Sequence, residues 1–170
     1  MRSNDSLKTG VALSWLVLRL LLLLVVALGA AVLSPLIGWF VAAVVLGLIG
    51  AALPQTFAAW GSVICFLVGM TIAGPDLGRS MLAVLIVHAI HILTSINLVV
   101  PVGARVVASA LRPTVVRFLV VQAIAQPLTL LVTFGAAAGV AEVPWAVVAG
   151  AGALVVLTIL LAASAKTGER

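Results

Sequence analysis

Carboxylates are nearly missing from this chain. Asp5, Asp76, Glu142 and Glu169 are its four acids against nine Lys and Arg in 170 residues, and none of the four falls inside a long apolar run. They are too scattered to form an acid–base pair, and they leave no intramembrane carboxylate of the kind that stores charge in proton-coupled carriers. Cysteine is down to Cys65, which excludes a disulfide within the chain and any cluster of thiolate ligands. Tyrosine is absent. No glycine-rich phosphate loop and no Ser, His and Asp set suited to a triad are found. Catalysis is therefore not expected, and neither is a bound cofactor or metal ion.

Polar surface is the other scarcity. At 65% hydrophobic and 8% charged, with mean hydropathy +1.41, the chain has too little of it to cover a water-soluble globule. The composition is that of an integral membrane protein. The net charge of +5 then reads as topology, with no basic groove to suggest a nucleic-acid partner. Usage rich in Ala, Val, Leu and Arg but poor in Lys suggests a high-GC bacterial source.

A bilayer crossing takes about 20 apolar residues. The expected architecture is all-α, a single transmembrane domain over 1–170, with six helical segments at about 11–33, 36–53, 57–73, 80–100, 114–138 and 144–163. The first could be mistaken for a signal peptide, since Ala27, Gly29 and Ala31 mimic a small-residue cleavage region. Its apolar run is longer than a usual h-region, so an uncleaved helix is expected. Within it, Arg19 follows Trp15 by one turn and can stack on the indole or snorkel towards head groups.

Proline and glycine set the breaks. Ser34-Pro35, Pro54-Gln55-Thr56 and the run from Gly74 to Arg79 read as turns, because proline lacks an amide proton and restricts the residue before it. Ala43, Gly47 and Ala51 on the second segment, and Gly61, Cys65, Gly69 and Ala73 on the third, recur every four residues. Such small-residue faces let helices approach closely, and these two are expected to pack together. Between Pro101 and Pro113, Arg105, Ser109 and Arg112 share one face of a helical wheel opposite valines and leucine. That pattern predicts a short amphipathic helix lying on the membrane surface, where Arg105, Arg112 and the following Arg117 would meet anionic lipid head groups or an acidic partner surface.

Orientation follows from the basic residues. With six crossings, Arg2, Lys8, Arg19, Arg105, Arg112, Arg117, Lys166 and Arg170 fall on one side and Arg79 on the other. The rich side is expected to be cytoplasmic, with both termini there and the protein in the cell membrane. Trp15, Trp39, Trp60 and Trp145 all fall near segment ends, where indoles favour the interface.

The polar side chains at membrane depth concentrate on the fourth and fifth segments. His88, His91 and Ser95 form one stripe, with Asn97 pointing away from His88; Gln122, Gln126, Thr129 and Thr133 form another. A polar group facing lipid tails has nothing to hydrogen-bond, so the two stripes should face each other. Counting from Pro101 and Thr114 sets Ser95 level with Gln122, His91 with Gln126 and His88 with Thr129. Pro127 should free a carbonyl that a histidine could reach.

Several chemistries bear on this seam. Two histidines at i and i+3 lie on the same side of a helix and cannot take opposite axial positions of one haem, although a haem shared with a partner or with a methionine would escape that objection. Two imidazoles without a third ligand do not make a metal site. A water file along the seam could carry protons or a solute, whereas interhelical hydrogen bonds alone would make it structural glue. The reading favoured by the sequence is a small non-catalytic membrane subunit or scaffold; the alternative is a small transporter or channel, with a haem-bearing subunit behind it.

Overall fold

The computed structural model describes residues 12–74 and 76–137. The chain divides between Thr133 and Phe134 into two units, and the packing below is that of the first. The elements in order are a strand β1 (Ala12–Ser14), α1 (Trp15–Leu33), α2 (Ile37–Ala52), a 3-10 turn (Pro54–Thr56), α3 (Ala58–Ala73), α4 (Leu77–Val99), a strand β2 (Arg105–Val107) and α5 (Ala108–Ala137). The sixth expected segment, 144–163, lies outside the described residues, as do Arg2, Lys8, Trp145, Lys166 and Arg170.

The described residues are thus overwhelmingly helical, and three helices are long and apolar enough to cross a membrane: Trp15–Leu33, Leu77–Val99 and Ala108–Gly135. The second and third segments are shorter than that. At 16 residues each, α2 and α3 reach about 24 Å, less than the ~30 Å of a hydrocarbon core. The cause is punctuation at both ends of α2 and the start of α3. Pro35 follows the C-cap Ser34, and Pro54 opens the 3-10 turn, after which Phe57 takes a left-handed conformation at φ 54° to start α3.

Capping sharpens two starts. The Ser14 hydroxyl accepts from Val17 N at the head of α1, and the Asp76 carboxylate accepts from Arg79 N at 2.7 Å at the head of α4. Asp76 therefore extends α4 three residues earlier than the expected start at 80.

Helices α1 to α4 share one core, built on Leu22, Val26, Leu33, Phe66 and Ile90. Their other faces carry leucine, isoleucine and valine outward, as lipid contact requires and water would penalise. The small-residue faces work, though not as one pair. An added Cβ at Gly50 would lie 2.5 Å from Ala59 N, so α2 and α3 do approach backbone to backbone there, and the buried Ser62 hydroxyl donates to Ala43 O at 2.8 Å. Gly47, however, faces Val26 of α1, and Gly69 faces the Leu33 carbonyl at the end of α1. The three helices meet as a trio, so each small face is divided between two neighbours.

The expected surface helix does not form as a separate element: its first half is extended, and the part from Ala108 onward is the start of α5. Pro101 ends α4, Gly103 turns the chain at φ +86°, and Arg105, Val106 and Val107 form β2, antiparallel to β1 with Leu13 opposite Val106. Trp15 N also donates to Ala104 O at 3.1 Å. Pairing satisfies backbone groups that a turn of helix would otherwise have satisfied internally, and the two β-branched valines favour the extended form. α5 then begins at Ala108, six residues before the expected Thr114, and continues through Pro113 and Pro127.

Candidate functional site

α5 buries one residue over its described positions 108–135, and that residue is polar: Gln122, at 7% exposure. Its partners explain why. Gln122 Nε2 lies 3.1 Å from His88 Nδ1 on α4. One turn on, Gln126 Nε2 donates both to Gln122 Oε1 at 2.9 Å and to the backbone oxygen of Met81 at 3.1 Å. The Phe118 ring, one turn before Gln122, covers the His88 imidazole with centroids 4.9 Å apart.

The direction of this chain of hydrogen bonds is fixed by its last member. The Met81 carbonyl can only accept, so Gln126 must turn its amide N–H groups that way. With both of them used, Gln122 must turn its oxygen to Gln126 and its nitrogen to His88. His88 Nδ1 is then an acceptor, which makes the imidazole neutral with its proton on Nε2.

Of the expected seam, His88, Gln122 and Gln126 are joined across α4 and α5, and in a register other than the expected one. Gln122 pairs with His88 and not with Ser95; Gln126 reaches Met81 and not His91; Thr129 is not bonded to His88. Ser95, Thr129 and Thr133 donate to carbonyls of their own helices, those of His91, Ala125 and Thr129. Nor does His88 reach a carbonyl freed by Pro127. The shift follows from the early start of α5: six extra residues at 1.5 Å carry every α5 side chain about 9 Å further along α4. His91 turns instead to Trp60 of α3, edge to face at 5.5 Å between centroids.

Two further polar contacts stand outside the seam. On the opposite face of α4, the buried Asn97 Nδ2 reaches Leu18 O of α1 at 3.5 Å, as its angular position implied. Arg19 lies over the Trp15 ring at 4.9 Å and donates from Nη1 to Ala52 O at 3.1 Å, at the C-terminal end of α2 where helix carbonyls lack partners. Its stacking was legible from the sequence. Its capping of another helix was not.

Arg105, Arg112 and Arg117 are all exposed. Arg105 belongs to β2, so it no longer shares a helical face with Ser109 and Arg112. Arg112 and Arg117, five residues apart, point about 140° from each other.

A cleft of about 640 Å³ opens between α3, α4 and α5, lined among others by Trp60, Met70, Ser80, His88, His91 and Thr129. Sequence spacing missed Trp60 and Phe118 as neighbours of the histidines. Phe118 had a signal, four residues before Gln122 on the same face, whereas Trp60 comes from a helix whose rotation only packing sets. Among the described residues no group of three or more His, Cys, Asp or Glu side chains could hold a metal ion. Comparison with protein-family models, with curated proteins and with solved structures finds no match to this chain.

Proposed function

We propose that this protein is a non-catalytic multispanning subunit or scaffold of a larger assembly in the cell membrane, with six crossings and both termini in the cytoplasm. The observation that carries the reading is how the polar groups at membrane depth are spent. Gln126, Gln122 and His88 form one chain of bonds, and Ser95, Thr129 and Thr133 bond to their own helices, which leaves Gln126 Oε1 and Thr94 Oγ1 as the buried side-chain atoms of α4 and α5 without a partner among the described residues. That is the pattern of groups that fix helix register, and not of a continuous file of side chains offered to a passing solute. Arg105, Arg112 and Arg117, near the shared end of α4 and α5, would meet anionic head groups or the acidic surface of a partner subunit. The bias of basic residues to that end supports its cytoplasmic placement.

The test is purification of the tagged protein in mild detergent, with an absorbance spectrum and mass spectrometry of what accompanies it. Stoichiometric membrane partners without a Soret band are expected. A colourless protein without partners would sink the subunit reading, and a Soret band would replace it with the haem-bearing one.

The alternative, a small transporter or channel, draws on the cleft that His88 and His91 line. Reconstituted vesicles discriminate the two: a conduction path loses its flux in His88→Ala with His91→Ala, while a scaffold shows no flux to lose.

A further inference from the structure

The cleft between α3, α4 and α5 has a polarity of its own, set by the hydrogen-bond direction established above. With Nδ1 turned to Gln122 and one ring face against Phe118, His88 is left with the edge that carries Nε2–H, and Nε2 has no hydrogen-bond partner among the described residues. His88 is also one of the residues that line the cleft. A donor held by a relay that cannot reverse, at the wall of a mostly apolar cavity, selects a ligand that brings an acceptor. The volume of about 640 Å³ lies within the ~300–1,000 Å³ usual for small-molecule sites.

Depth narrows the class of ligand. His88 is the twelfth of the 23 residues of α4, so it stands about 17 Å from either end of the helix. The ester carbonyls and charged head groups of phospholipids stay near the membrane surface, about 15 Å from the midplane of a ~30 Å core. They do not match this donor. An uncharged molecule that dissolves in the hydrocarbon and carries a ring carbonyl does. Trp60, at the cleft wall with its edge-to-face contact to His91, offers an indole against which a flat ring packs.

We propose that this cleft binds a lipid-soluble quinone or a closely similar cyclic ketone, with its carbonyl oxygen accepting from His88 Nε2–H and its ring beside Trp60. Binding alone is proposed, and it stands whether or not the protein is a subunit of a larger assembly.

The probe is decylubiquinone, added to the full-length protein in nanodiscs. Saturable quenching of tryptophan emission is expected, with the saturable part lost in Trp60→Phe. His88→Phe removes one hydrogen bond and should weaken binding about tenfold. Because that variant also breaks the relay, a second measurement uses the unaltered chain: ¹⁵N-histidine NMR, in which the two histidines are told apart with His91→Gln. His88 should appear as the Nε2–H neutral form, and its Nε2–H proton should move downfield with decylubiquinone. Quenching that persists unchanged in Trp60→Phe, an Nδ1–H form of His88, or a resonance indifferent to the quinone would each overturn the proposal. So would a brominated phospholipid that quenches Trp60 and is not displaced by the quinone.

Discussion

Gln122 of α5 donates to Nδ1 of His88 on α4 across 3.1 Å, and Gln122 is the one buried residue in the described length of α5. A helix that presents valine, leucine and isoleucine on nearly all its surface is thus located by an amide. In a bilayer this is the economical arrangement, since burying apolar side chains against a neighbour gains little where lipid is equally apolar, while an unpaired amide costs several kcal/mol.

The first prediction concerns that link. A double-mutant cycle with Gln122→Ala and His88→Ala, followed by reversible unfolding in mixed micelles, should return a coupling of about 0.6–1.7 kcal/mol. Ser95→Ala should change stability by less than about 0.5 kcal/mol, because Ser95 is exposed and bonds within its own helix. Additive single mutants would mean the pair does not position α5.

Close approach of α2 and α3 gives a test with opposite signs at two glycines. Gly50→Ala places a Cβ 2.5 Å from Ala59 N and should destabilise by about 1–3 kcal/mol. Gly38→Ala, near the start of the same helix with nothing within 4 Å of the new Cβ, should stabilise by up to about 1 kcal/mol. The same unfolding measurement reads both, and equal effects would contradict the packing.

Arg19 joins a ring and a helix end. Arg19→Leu keeps an apolar body in α1 but loses the stack on Trp15 and the bond to Ala52 O, and should lower stability by about 1 kcal/mol. If Arg19 were merely a lipid anchor, Arg19→Leu in the Trp15→Leu background would cost as much as in the native chain; coupling between the two is expected instead.

The strand pair can be trapped. In a Cys65→Ala background, Leu13→Cys with Val106→Cys places thiols on directly opposed residues of an antiparallel ribbon, within disulfide range. Mild oxidation of isolated membranes should cross-link them rapidly, seen as a gel shift that a reductant reverses. Cross-linking no faster than that of Leu13→Cys with Val102→Cys would revive the surface helix.

Sidedness is checked by labelling. Gln55 and Val102 are exposed in turns that the proposed topology puts in the cytoplasm, while Gly78 lies at the opposite end of the bundle. In the same background, an impermeant maleimide applied outside should modify Gly78→Cys and spare Gln55→Cys and Val102→Cys. Modification of Gln55→Cys from outside would show that the second and third segments do not cross as proposed.

The sequence alone determined the helical class with segments apolar enough to cross a membrane, the breaks at Pro35, Pro54 and Pro101, the stacking of Arg19 on Trp15, and the polar character of the facing stretches of α4 and α5. Each is a local consequence: a ring without an N–H, two residues a turn apart, or a polar group with no partner in hydrocarbon. Tertiary structure decided which of those polar residues meet. The segment after Pro101 carries a helical pattern, yet its Arg105–Val107 pairs as a strand with Ala12–Ser14, about ninety residues earlier in the chain, and α5 starting at Ala108 is advanced by about 9 Å against α4. Periodicity reports which face of a helix a side chain occupies and is blind to where along a neighbour that face comes to rest. Register depends on the conformation of the connection, and here the partner of the connection lies at the other end of the bundle's sequence.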